Sequence, residues 1–233
     1  MKYLPKGKKG LIFAADFVEE NACLNCINNI SEFIDAIKIG NLLISCTNLD
    51  IVKKIKEICD VPIIGDFKIM DISYIATSMI KKGIEAGLDG FMICGVCGPE
   101  VLSNCIECAK DKMIFVFTEF THFTGLIDRE QSNLVAQMAK DFMAYGIQAP
   151  ATKPDRIMEL RSIVGDELLI ISCGVGEQGV SYGSAISYGA DYEIVGRSIY
   201  LSTNPKLEAQ KAKNKIYQSL QMNIILQDNV AIL

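Results

Sequence analysis

The run Gly65-Asp66-Phe67-Lys68-Ile69-Met70-Asp71 places two carboxylates and an ammonium within an otherwise apolar stretch. Side chains alternate between the two faces of a strand, so Asp66 and Lys68 share a face. Burying opposite charges together is costly unless they pair. Lys38, in the separate run Ala36-Ile37-Lys38-Ile39-Gly40, can extend the pair into an alternating lysine and aspartate array. Mutual pairing keeps both lysines cationic and both aspartates ionised, an arrangement suited to a substrate anion that becomes a carbanion. Asp16, Glu119 and Arg197 interrupt or end further apolar runs. The alternative for each of these charges is a solvated or ion-paired place at a rim.

A second constellation suits phosphate. Gly174-Val175-Gly176-Glu177-Gln178-Gly179 and Val195-Gly196-Arg197-Ser198 combine glycines, which let backbone N–H groups approach an oxyanion, with an arginine fork that can hold it bidentately. Taken alone, the glycines would mark only a surface turn. His122 is the single histidine, so zinc sites built on two or three histidines are excluded, and His122 itself reads as a rim residue. Three Cys-x-x-Cys pairs occur, Cys23/Cys26, Cys94/Cys97 and Cys105/Cys108. The gap of seven residues between the last two pairs is shorter than a zinc ribbon uses, so the cysteines read as small buried hydrophobes and no metal is expected.

These residues need a scaffold that gathers them. Short apolar runs recur at 11–17, 36–40, 62–69, 90–96, 113–120, 145–151, 168–174 and 192–200, with helix-length polar stretches between them, such as 48–59 and 154–164. Buried parallel strands read as continuous apolar runs, and eight of them alternating with helices predict an α/β fold, the (β/α)8 TIM barrel. An open doubly wound sheet is the competing topology. In a barrel the active site lies at the C-terminal strand ends, where the charged residues above fall, and the ends of strands 7 and 8 commonly bind phosphate. Met138, Phe142 and Met143 lie at helical spacing and are expected in the core. From about residue 206 the chain reads as a final helix with an apolar end, Asn223-Ile224-Ile225-Leu226, that needs covering.

The chain has 233 residues, half of them apolar, which suits one barrel-sized domain over 1–233. A formal charge of −5 provides no basic field for a polynucleotide, so no nucleic-acid partner is expected. The apolar run 11–15 stops at Asp16, too short for a signal core or a membrane span, so a cytoplasmic protein without membrane contact is expected. The nine cysteines, an odd number, accord with reduced thiols in such a compartment.

The chain resembles the orotidine 5'-monophosphate (OMP) decarboxylase family, in particular its short single-domain members. The resemblance rests on Asp-x-Lys-x-x-Asp at Asp66, Lys68 and Asp71, on Lys38-Ile39-Gly40, and on Val-Gly-Arg-Ser-Ile-Tyr at 195–200, and it runs from about Asp16 to Tyr200. It implies a cofactor-free carboxy-lyase that converts OMP to UMP and CO2 in pyrimidine biosynthesis. Lys68 would protonate the C6 carbanion, Asp66 would sit against the departing carboxylate, and Lys38 and Asp16 would bind ribose hydroxyls. Asp71 would reach into the partner's site across a homodimer. Thr121 would bond the pyrimidine where the family usually has serine, and Gln178, Gly196 and Arg197 would hold the phosphate. A sister family of metal-dependent sugar-phosphate decarboxylases and aldolases shares Asp-x-Lys-x-x-Asp, but carries a glutamate metal ligand where this chain has Lys38. Ser73 and Ile75 replace a usual proline and threonine, Cys173 a proline, and Cys94 a histidine. A barrel that binds a phosphorylated metabolite without converting it stays open as a different class. The internal Asp66/Lys68 pair speaks against it, because binding alone gives no reason to bury opposed charges beside a phosphate site.

Overall fold

The structure, a computed structural model, describes residues 3–230, and of residues 222–230 the backbone only. Eight strands follow one another around a closed barrel: β1 Gly10–Ala14, β2 Ala36–Gly40, β3 Ile63–Ile69, β4 Gly90–Cys94, β5 Met113–Phe117, β6 Gly146–Pro150, β7 Leu169–Cys173 and β8 Tyr192–Val195. Every neighbouring pair is parallel, and β8 closes on β1 through Gly10↔Tyr192 to Phe13↔Val195. The chain is therefore an α/β (β/α)8 barrel, and the open sheet is excluded.

Helices α1 Glu20–Ile30, α2 Asn41–Cys46, α3 Ile51–Ile58, α4 Ser73–Ala86, α5 Pro99–Ala109, α6 Arg129–Asp141, α7 Pro154–Val164, α8 Ser184–Ser187, α9 Arg197–Tyr200 and α10 Pro205–Val230 connect and cover the strands. Alternation along each strand sorts the apolar residues into two layers. Leu11, Phe13, Ile37, Ile39 and Ile63 face the helices, whereas Ile12, Ala36, Ile64, Phe115, Ile171 and Tyr192 fill the barrel. The buried Leu4 closes the floor, and Pro5 follows it: Tyr145 Oη donates to the Leu4 carbonyl at 2.5 Å and Tyr192 Oη to that of Pro5 at 2.9 Å. With the N-terminal end of the barrel plugged, the open end is the C-terminal one.

Several apolar runs outlast their strands. β1 stops at Ala14, two residues before Asp16; β5 stops at Phe117, before Glu119; and 192–200 divides into β8 and the helix α9. Past the rim a strand has no neighbour to complete its ladder, so the remaining apolar residues cover loops. The helix expected over 48–59 is Ile51–Ile58, because Asn48 Oδ1 accepts from the Asp50 amide at 2.7 Å and makes a turn there. Met138 and Phe142 pack on the core, but Met143 does not: α6 ends at Asp141, the chain reverses through Met143 at φ 55°, and its side chain is exposed. Helical spacing no longer applies once the helix has ended. α10 begins at Pro205, and the side chains of Asn223-Ile224-Ile225-Leu226 lie outside the described residues. Among the described residues no helix is long and apolar enough to cross a membrane.

Candidate active site

The inward face that carries Ala36 on β2 and Ile64 on β3 continues, nearer the mouth, as Lys38 and Asp66. The parallel register sets Ala14 beside Lys38 and Gly40 beside Asp66, so Lys38 and Asp66 approach the mouth on adjacent strands and Asp16, just past the end of β1, reaches them there. Lys38 Nζ lies 3.1 Å from Asp66 Oδ2 and 3.5 Å from Asp16 Oδ1. Lys68 Nζ lies 2.9 and 3.1 Å from the two oxygens of Asp66. The result is one chain of contacts, Asp16–Lys38–Asp66–Lys68, in which Asp66 bridges both ammonium groups.

Burial alone disfavours the charged form of both inner groups. It acts against the Lys38 ammonium, yet Asp66 and Asp16 outweigh it and the pKa of Lys38 is raised. Burial likewise acts against the Asp66 carboxylate, yet Lys38 and Lys68 hold its pKa below the usual carboxylate range. Both stay ionised at neutral pH. Asp66 is 6% exposed, whereas the Lys68 side chain is 40% exposed and stands over the Phe117 ring, its nitrogen 5.6 Å from the centroid.

Regular alternation does not account fully for Lys68. The β3–β4 register shifts between Gly65 and Ile69, and Lys68 adopts φ 42°. A non-glycine residue there costs about 1–2 kcal/mol. The strain falls on the more exposed lysine of the array, where a held side-chain direction has a use.

The array forms one wall of a cavity of about 270 Å³ at the barrel mouth. Asp16, Lys38, Asp66, Lys68, Thr121, Gln178, Gly196 and Arg197 all line it. Gln178 comes from the loop after β7, where Gly174 takes φ 99° and Gly176 φ 83°. A Cβ on Gly176 would fall 2.3 Å from Ser198 Oγ, so only glycine lets this loop lie against the start of α9. Arg197 opens α9, is exposed, and among the described residues has no carboxylate partner. Thr121 is held by its carbonyl, which accepts from Thr152 Oγ1 at 2.6 Å.

Asp71 stands apart from the cavity. It is exposed, accepts from the Ile72 amide at 2.7 Å, and pairs with no cation among the described residues. Met70, Ile72 and Tyr74 beside it are 66%, 67% and 75% exposed. Glu119 also stays out of the cavity: it is buried and bridges Lys153 Nζ at 2.6 Å and Arg156 Nε at 2.9 Å, so it ties the β5 end to α7. His122 leans on Phe120, ring centroids 4.9 Å apart, in a neighbouring cleft. Among the described residues no three His, Cys, Asp or Glu side chains are grouped to hold a metal ion. Phe117, Phe120, Cys173 and Gln148 also line the cavity without having been singled out in the sequence. In the sequence Cys173 stands out only as a departure from the family pattern, and Gln148, one amide inside an apolar run, carries no signal.

Residues 9–212 match the family described as Orotidine 5'-phosphate decarboxylase / HUMPS family. The chain belongs to that family. It is 39% identical over 214 residues to a protein of Methanosarcina mazei named orotidine 5'-phosphate decarboxylase, covering 91% of this chain and 96% of the relative. The crystal structure of orotidine 5'-monophosphate decarboxylase from Methanocaldococcus jannaschii complexed with inhibitor BMP is similar at TM-score 0.84 and 32% identity, over 89% of this chain and 98% of that one. The orotidine 5'-phosphate decarboxylase structure from Pyrococcus horikoshii gives TM-score 0.82 at 28% identity, over 89% and 99% of the two chains.

Departures from the usual orotidine 5'-phosphate decarboxylase pattern can now be located. Ser73 opens α4 and bonds Glu100 and Asn104 at 3.3 and 3.0 Å, and Ile75 is 38% exposed; neither lines the cavity. Cys173 lies in the cavity wall, where burial, then Asp66, pushes its thiol up to about 11 against the pull of Lys68 and Lys38. It is a neutral, poorly nucleophilic group at neutral pH. Cys94 is buried at the end of β4, and burial raises its pKa as well.

Proposed function

We propose that this chain is an orotidine 5'-monophosphate decarboxylase, a carboxy-lyase that forms UMP and CO2 and so serves pyrimidine biosynthesis. The observation that carries the reading is the continuous Asp16–Lys38–Asp66–Lys68 array opening on a cavity that is also lined by Gln178 and by the Arg197 fork, which has no carboxylate partner among the described residues. With phosphate at Gln178, Gly196 and Arg197, the pyrimidine reaches toward Thr121 and Lys68. Asp16 and Lys38 take the ribose hydroxyls. The substrate carboxylate lies against Asp66, so a ground-state anion meets a fixed anion while the developing charge on C6 meets the Lys68 ammonium. The C6–carboxyl bond breaks with its electron pair left on C6, and CO2 departs. The ammonium then gives C6 its proton and regains one from solvent.

The sister chemistry needs a divalent cation, and Lys38 sets an ammonium where that family has a metal ligand. A cofactor-free reaction is therefore expected: the loss of OMP absorbance in the ultraviolet should proceed at an unchanged rate in EDTA. Activity that vanishes with EDTA and returns with magnesium would assign the chain to the metal-dependent relatives.

Asp71 enters this reading through a second copy of the chain. It follows β3 by two residues, stands outside its own cavity, and is surrounded by exposed Met70, Ile72 and Tyr74, apolar surface suited to a two-fold contact. A homodimer would then hold two composite sites, each with Asp66 and Lys68 from one chain and Asp71 from the other. Lys68→Ala and Asp71→Ala chains should each be nearly inactive. Equal random mixing makes about half of the dimers mixed, each with one intact site, so roughly a quarter of native activity should return. Subunit exchange seen by native mass spectrometry without recovered activity would rule out the shared site.

A further inference from the structure

Gln148 is 2% exposed and lines the cavity, and its Nε2 has no hydrogen-bond partner among the described residues. Buried amide donors without an acceptor are rare, because the desolvation is not recovered. Its place is well fixed. β6 sets Gln148 beside Phe117 of β5 and Ile171 of β7, and its carbonyl accepts from Thr118 Oγ1 at 2.8 Å. Phe117 is the ring beneath the Lys68 ammonium. Two residues past Ile171 on the same strand stands Cys173, close enough to Asp66, Lys68 and Lys38 to feel their charges. The unpartnered amide therefore belongs to the cavity floor below the charge array, beside Phe117 and Ile171.

A ligand group that reaches this floor must bring an acceptor. Resting on the decarboxylase reading above, we propose that Gln148 is a specificity-determining residue whose amide N–H donates to the carboxylate on C6 of the bound substrate. That carboxylate is held against Asp66 and beside Lys68, and it is the part of the nucleotide directed to the floor. The bond is made to an anion in the ground state and weakens as neutral CO2 forms. It therefore favours capture of the carboxylated nucleotide over its product more than it favours bond cleavage.

The test compares OMP and UMP binding in a Lys68→Ala background, where turnover is removed, with and without Gln148→Leu. Leucine is close in volume and has no polar atom. Affinity for OMP should fall about 10- to 100-fold, as expected for a lost hydrogen bond to a charged group, while that for UMP changes less than about 3-fold. Gln148→Glu, which sets a carboxylate against a carboxylate, should narrow the OMP-to-UMP preference at least as far. In the protein with Lys68 intact, Gln148→Leu should raise KM for OMP while kcat is kept or increased. Equal losses for OMP and UMP would make Gln148 a packing residue and overturn the proposal, as would an unchanged OMP affinity, which would mean that water satisfies the amide. If the native protein leaves OMP unconverted, the decarboxylase reading fails first, and that outcome is distinct from either of these.

Discussion

Lys68→Ala should lower kcat for OMP by at least ~10⁴-fold, since one group supplies both the charge that stabilises the carbanion and the proton that quenches it. The fold should survive. Lys68 is the outermost member of the array, and its removal leaves Asp66 paired with Lys38 at 3.1 Å, so no buried carboxylate is stranded. Its φ of 42° is strained, and alanine at that position keeps the strain without the function. Stability by thermal melting should therefore stay close to native while turnover collapses. OMP should still bind, because the phosphate and ribose contacts are intact. Near-native turnover in a folded Lys68→Ala protein would remove the proposed chemistry.

The second large effect is expected at Arg197. A guanidinium without a carboxylate partner among the described residues, at the cavity edge beside the glycine-rich loop, is available to a phosphate dianion. Losing a bidentate charge-assisted contact of this kind costs roughly 3–4 kcal/mol, so Arg197→Ala should reduce kcat/KM for OMP on the order of 10²- to 10³-fold. Phosphate binding also helps to order the loops over the reacting end, so part of the loss should appear in kcat. The phosphate-free nucleoside, expected to be a poor substrate, has no such contact and should change less than about 3-fold. Equal losses on nucleotide and nucleoside would show that Arg197 acts elsewhere.

What the sequence revealed and what it hid have separate physical causes. Lys38, Asp66 and Lys68 were legible because a charge inside a buried strand stands out against its neighbours, and strand periodicity then assigns it a face. The eight strands were legible for the same reason, as apolar runs buried on both sides. Strand ends were not, since the apolar pattern runs on past the rim into the next element, as where 192–200 passes from β8 into α9. The left-handed backbone at Lys68 and the register shift of β3 leave no trace in residue type. Gln148 was passed over because a single neutral amide in an apolar run has no spacing partner. Its meaning comes from the lack of an acceptor for Nε2 among the described residues. Met143 fails in the opposite way, having the spacing of a core residue after the helix has stopped.

The central claim is that the bond to carbon dioxide breaks to leave charge on C6 and that Lys68 returns a proton to that atom. Turning over OMP in D2O with the chelated native protein and reading the UMP by NMR tests it most directly, because the exchangeable Lys68 ammonium carries deuterium there. The account predicts one CO2 released per UMP and a single deuterium, at C6. Deuterium at C5, or no UMP at all, would contradict it.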